Sequence, residues 1–183
     1  MTALREQLAA GVGSELRWRQ PEVTKRRYIL QREGADAAFA TLDWRSMWGT
    51  FATATIGDDE WTFKRGGFLR PRVTVRRLGS DEDIATFEAN WQGGGTLTIA
   101  DGAAYTWKAA NFWHSQWNWL DASGAELLHF ANKQGFVRQE ATVAIGPVGA
   151  QIPELELLTT LGWYLLILAA NDSAATTAAT VTT

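Results

Sequence analysis

The chain of 183 residues contains no cysteine. That absence excludes disulfides, thiolate metal sites and thiol catalysis. Histidine is nearly as scarce, with His114 and His129 as the only two. Residues 1–19 hold no apolar run of signal-peptide length, so a cytoplasmic location is the expectation. Also missing, across residues 23–145, is any stretch with helical periodicity, which argues against a parallel α/β sheet.

Tryptophan, by contrast, is abundant, with ten residues. So many wide rings point to extensive β-structure or to an aromatic-lined cavity. Residues 23–145 carry the matching pattern of short runs in which apolar and polar side chains alternate. Tyr28 and Leu30 share one face of the first run, Trp61 and Phe63 another, Val73 and Val75 a third, and Trp117 and Trp119 a fourth. Turn signals separate the runs, among them Gly57-Asp58-Asp59, Gly66-Gly67, Gly79-Ser80-Asp81, Gly93-Gly94-Gly95 and Asp101-Gly102. About eleven strands can be counted, at the spacing of an all-β barrel or sandwich.

One stretch breaks the pattern. Pro153 and Glu154 open a run that is apolar from Leu157 to Ala170, with Asn171 placed to end it. Proline suits a first helical turn, Glu154 and Glu156 complement the positive end of the helix dipole, and asparagine tolerates the left-handed conformation beyond a last turn. A helix that is apolar on all sides must be buried. Its length falls in the range of roughly 10–14 apolar residues that favours a protein core over a bilayer span, and no flanking Lys or Arg anchors it at a lipid interface. The expected fold is all-β with one helix: a closed antiparallel barrel of hairpins wrapped around a buried helix at 153–170. Closure removes the sheet edges and the helix fills the lumen. Small residues at Ala52, Ala54, Ala85, Ala89 and Gly162 suit lumen positions close to a helix backbone. Residues 1–20 read as a lead-in with room for a short helix around 3–10, residues 21–170 as the single domain, and residues 171–183 as a disordered Ala/Thr tail.

Tyr105-Thr106-Trp107-Lys108, the aromatic run through Trp117-Asn118-Trp119, and Asp121-Ala122-Ser123-Gly124 leading to Leu127 resemble the tubby C-terminal-like superfamily. That group includes tubby-like proteins, phospholipid scramblases and the LURP-one-related proteins. The resemblance covers residues 23–170 and implies a closed antiparallel barrel of about twelve strands around a C-terminal hydrophobic helix. Tubby-like domains bind phosphoinositide headgroups through basic residues outside the barrel. The scramblase branch uses cysteine lipidation and a calcium-binding segment near the helix. This chain has no cysteine to lipidate, and its segment 151–156 offers only Glu154 and Glu156.

Formal net charge is −3, yet residues 1–77 carry a net +5 and residues 78–183 a net −8. Such asymmetry can mark an anionic partner on the basic side. The candidate site is the cluster Lys64, Arg65, Arg70, Arg72, Arg76 and Arg77. If its two runs pair across Gly66-Gly67, then Lys64, Arg72 and Arg76 share one outer face, suited to phosphate oxygens. Lys25-Arg26-Arg27 would strengthen that face if folded alongside. The competing reading is a solvated strand face neutralised by Asp58, Asp59, Glu60, Asp81 and Glu82. Nucleic acid is not expected, given the overall acidity and the lack of a recognition motif.

The remaining candidates favour structure over chemistry. His114 and His129 could form a dyad with Asp121 or Ser115, or a two-histidine metal site, but neither has a nucleophile motif or helical spacing. His129 follows Leu127 and Leu128, as a hydrogen-bonded core histidine would. The rings from Phe112 to Trp119 could line an apolar-ligand pocket, although Trp113, Trp117 and Trp119 share one strand parity, as core residues do. Asp58-Asp59-Glu60 and Asp81-Glu82-Asp83 lack EF-hand spacing and read as exposed turns. The expectation is therefore a non-enzymatic binding or adaptor module at an anionic membrane surface, phosphoinositide included, with no cofactor, metal or catalytic residue. The alternatives are an apolar-ligand barrel using the Trp-rich strands, and an enzyme of unknown reaction. Membrane scrambling would require the helix to leave the barrel, and an emptied lumen is strongly destabilising.

Overall fold

Twelve strands precede one long helix. The fold is given by a computed structural model that describes residues 15–35, 37–67, 71–134 and 139–181. The strands are β1 (Leu16–Arg19), β2 (Arg27–Arg32), β3 (Ala38–Trp44), β4 (Ala52–Ile56), β5 (Asp59–Gly66) and β6 (Arg72–Arg77). They continue as β7 (Asp83–Ala89), β8 (Gly95–Ile99), β9 (Ala104–Ala109), β10 (Gln116–Leu120), β11 (Glu126–Gln134) and β12 (Gln139–Ile145), and the helix α1 spans Leu155–Val181. Every strand pairs antiparallel with its neighbours in sequence, and β1 also pairs with β12, so the barrel closes.

Period-two alternation places the apolar side chains inside. Along β4, Ala52, Ala54 and Ile56 are buried while Thr53 and Thr55 face outward. Across the closed wall, Trp18, Leu42, Phe63, Val75, Leu97 and Trp119 all reach essentially zero exposure. The lumen they line is occupied by α1, whose residues 155–168 are buried on every side. Rings couple wall to helix: Trp18 stacks on Trp163 at 5.9 Å, Trp44 stacks on Tyr164 at 5.0 Å, and Phe63 lies 5.2 Å from Tyr164. The indole N–H of Trp119 donates to the carbonyl of Leu158 over 3.0 Å. Gly162 makes that approach possible, since a Cβ there would stand 2.5 Å from the Phe130 ring and 3.0 Å from Trp119 Nε1.

Three boundaries differ from the sequence reading. The lead-in contains β1, with Leu16 and Trp18 buried and paired to Val143 and Ala141. Four residues are too few for alternation to register in sequence, and only the closing partner identifies the strand. The short helix expected around 3–10 lies outside the described residues. The long helix starts at Leu155 rather than Pro153, because the Glu154 carbonyl accepts the first helical bond from Leu158 N at 2.8 Å. It also continues past Asn171 to Val181, where a disordered tail was expected. Alanine is the best helix former, and an established helix propagates easily. Asp172 joins Arg65 of β5 at 2.5 Å, and Ser173 Oγ donates to the Ala169 carbonyl. Ala52, Ala54 and Ala85 do face the helix, whereas Ala89 lies exposed at the rim.

An up-and-down barrel sorts its connections between two ends. The β2–β3, β4–β5, β6–β7, β8–β9 and β10–β11 connections share one end with the segment leading into α1, here termed the entry end. The β1–β2, β3–β4, β5–β6, β7–β8, β9–β10 and β11–β12 connections share the other, the exit end, where α1 emerges. Side-chain contacts agree with this sorting. Tyr105 at the start of β9 donates to Glu154 just before α1, whereas Arg65 near the end of β5 pairs with Asp172.

Candidate functional site

β5 and β6 form the hairpin that carries the basic cluster. In their register Thr62 faces Arg76, Lys64 faces Thr74 and Gly66 faces Arg72. Phe63 and Val75 on the opposite parity are fully buried, so Lys64, Arg72 and Arg76 share the outer face. Arg65 has inward parity but sits at the rim, where it forks onto Asp172 with bonds of 2.5 and 3.0 Å. That pairing raises the Arg65 pKa. Arg70 lies outside the described residues.

Carboxylates claim part of the cluster. Arg76 Nε contacts Asp83 at 2.5 Å, with Asp81 at 3.7 Å, and Arg77 meets Asp59 at 3.1 Å. The neutralised-face reading therefore holds for Arg76 and Arg77, both toward the entry end. Lys64 and Arg72 form no ion pair among the described residues, and they are diagonal neighbours on the outer wall toward the exit end. Glu88 stands across from Arg72 in the β6–β7 register without closing an ion pair.

Lys25-Arg26-Arg27 is not brought alongside, since β3 and β4 stand between β2 and β5. Lys25 pairs with Glu22 and Arg27 with Asp43. Arg26 lies 4.1 Å over the Trp44 ring and donates to the carbonyls of Ser46 and Met47, at 3.2 and 2.8 Å. It builds the β3–β4 loop.

No family model, curated protein or solved structure matches this chain.

His114 is on the β9–β10 connection at the exit end, and Asp121 is on the β10–β11 connection at the entry end. The Asp121 carboxylate accepts from Ser123 Oγ, Ser123 N and Ala125 N, which hold its pKa below the usual carboxylate range. His129 is half-buried on the outer wall, not in the core. Its Nδ1 donates over 2.7 Å to Asn118 Oδ1, while the Asn118 amide donates to Glu126. A break in register between Trp119 and Leu120 puts Leu127 and Leu128 both inside and so undoes the expected parity of His129. Among the described residues no cluster of three or more metal-ligating side chains occurs.

Trp117 and Trp119 are core residues, packed with Trp107 at 5.4 and 5.0 Å. Trp113, assigned to the core by parity, is instead 79% exposed, beside Phe112 at 86%. Asn111 is the reason. Its Oδ1 accepts from Ser115 N and Gln116 N, and its Nδ2 donates to Ser115 Oγ, so residues 110–115 curl into a loop before β10 begins. A residue-by-residue parity carried through Asn111 therefore fails.

Proposed function

We propose that this protein is a non-enzymatic module that binds anionic phospholipid surfaces. The observation that carries the reading is the pair of cations Lys64 and Arg72, adjacent on the outer wall of the β5–β6 hairpin and without an ion pair among the described residues. A guanidinium fork beside an ammonium suits phosphate oxygens. The twelve-strand closed antiparallel barrel with its C-terminal helix is the architecture that a resemblance to the tubby C-terminal-like superfamily implies. Among the described residues no helix is long and apolar enough to cross a membrane; the contact proposed is peripheral.

Co-sedimentation with neutral, phosphatidylserine-containing and phosphoinositide-containing vesicles, at low and high salt, tests the reading. Each basic residue near an anionic surface contributes about 1 kcal/mol. Lys64→Gln with Arg72→Gln should then weaken binding on the order of tenfold or more and flatten its salt dependence. Arg76→Gln with Arg77→Gln should change binding much less, because those cations are already paired. Binding that ignores headgroup charge would sink the reading.

A further inference from the structure

Among the described residues, the highly exposed aromatic rings of this barrel are confined to one end. Trp48 on the β3–β4 connection is 98% exposed, Trp91 on the β7–β8 connection 91%, and Phe112 and Trp113 share the β9–β10 connection. All three connections open at the exit end. The large apolar residues exposed at the entry end among those described, Leu78 and Val148, are aliphatic.

The loops hold these rings out rather than leaving them slack. Arg26 fixes the carbonyls of Ser46 and Met47 ahead of Trp48, and Gly49 N donates to Ser46 Oγ at 2.8 Å. Around Trp91, Asn90 N donates to the Gly94 carbonyl, Gln92 N to Asn90 Oδ1, and Gly93 takes a φ of 82°. Around Phe112 and Trp113, Asn111 brackets the loop, and Trp117 Nε1 donates to the His114 carbonyl at 2.9 Å. Each loop is thus hydrogen-bonded across its base, with its ring outside the bonded frame.

Charge is sorted along the same axis. Arg45, Lys64, Arg72 and Lys108 lie toward the exit end without an ion pair among the described residues, with Glu88 as an unpaired carboxylate beside them. Asp58, Glu82 and Asp101 lie at the entry end, likewise without a cation partner among the described residues. Such a polarised molecule approaches an anionic surface exit end first. Tryptophan favours the membrane–water interface, where its ring meets apolar chains and its N–H meets headgroups. Protein-binding hot spots cluster in one packed centre; here the rings stand on separate loops around a rim. The emerging helix adds no uncompensated side-chain charge at that end, since its only ionisable side chain beyond Leu168, Asp172, is paired with Arg65.

We infer that the exit end docks on a phospholipid bilayer, with Trp48, Trp91, Phe112 and Trp113 seated in its interfacial layer and the cations against its headgroups. This rests on the anionic-surface reading and adds the partner, an intact bilayer rather than a free phosphorylated headgroup, and the orientation.

The test uses the full chain with mixed phosphatidylcholine–phosphatidylserine vesicles, with and without lipids brominated high on the acyl chain. The variant carries Trp48→Ala, Trp91→Ala and Trp113→Ala, and a control carries Leu78→Ala and Val148→Ala. The rings are exposed, so the melting temperature should stay close to wild type. Brominated lipid should quench wild-type tryptophan fluorescence on binding. The triple variant should lose that quenching and bind on the order of tenfold or more weakly, while the control binds as wild type. Three results would each overturn the docking inference while leaving the charge-based reading standing. One is vesicle binding that depends on Lys64 and Arg72 but is unchanged in the triple variant and shows no quenching. Another is equal loss in the entry-end control. The third is inositol hexakisphosphate binding as tightly as vesicles do, again without quenching. Absence of binding to any vesicle would overturn both and point the rim toward a protein partner.

Discussion

Tyr164 joins a helix inside the barrel to the wall that surrounds it. Its hydroxyl donates to the Thr50 carbonyl at 2.5 Å, and its ring stacks on Trp44. Burial pushes its phenol well above the usual value, against smaller opposing effects of Arg65, Thr50 and Arg26. A folded pKa above the unfolded one stabilises fully below the unfolded value, about 10 for tyrosine, and the contribution is lost as pH rises past it. Tyr164→Phe should cost about 1 kcal/mol at neutral pH, and its stability should fall less steeply than wild type above about pH 10. Urea denaturation across an alkaline series checks both. Asp121 works in the opposite direction. Its lowered pKa means that the β10–β11 turn loses support as pH falls through the carboxylate range.

At the scale of elements, the helix and the wall are fitted at Gly162. Helix propensity alone favours alanine there by roughly 0.5–1 kcal/mol. The Phe130 ring atoms, 2.5 and 2.8 Å from where a Cβ would stand, leave a methyl group no room. Overpacking typically costs about 1–3 kcal/mol, so Gly162→Ala should be net destabilising, with a lower urea midpoint. It should also weaken the Trp119 bond to Leu158, visible as a changed indole environment in fluorescence. The helix beyond the rim is a different matter. Its residues 171–175 are exposed, and Asp172 ties it to the wall through the partly exposed pair with Arg65. Such pairs contribute about 0–1 kcal/mol. Truncation after Ala170 should therefore leave the barrel folded with a melting temperature only slightly lower, whereas a folded state lost on that truncation would mean the extension packs as part of the core.

For the molecule as a whole, the barrel keeps the charge asymmetry of the chain around its wall and adds a second along its axis. The sequence divides into a basic first part and an acidic second part, and because strands adjacent in sequence are adjacent in the barrel, β1–β6 of the first form one side of the wall and β7–β12 of the second the other. A second separation runs between the ends, with Asp58, Glu82 and Asp101 on entry-end connections and Arg45, Lys64, Arg72 and Lys108 toward the exit end. The same alternation gathers Trp48, Trp91, Phe112 and Trp113, which lie far apart in sequence, onto one rim. Charge pairing also divides the basic cluster. Arg76 and Arg77 were indistinguishable from Lys64 and Arg72 as letters, and only their distances to Asp83 and Asp59 separate them.

Fold class was legible because it depends on local and periodic features. Period-two runs, glycine turns and one fully apolar stretch require hairpins around a buried helix, whatever their exact ends. Parity failed where a side chain overrode the periodicity, at Asn111 and at the break after Trp119, and it was silent for the four residues of β1. The end of the helix was misread because Asn171 tolerates a cap without imposing one. What only the tertiary structure decided were the properties that depend on pairs distant in sequence: closure of β1 on β12, the partners of each arginine, and the end of the barrel to which each loop belongs. Those are relations between residues, and no single stretch of chain contains them.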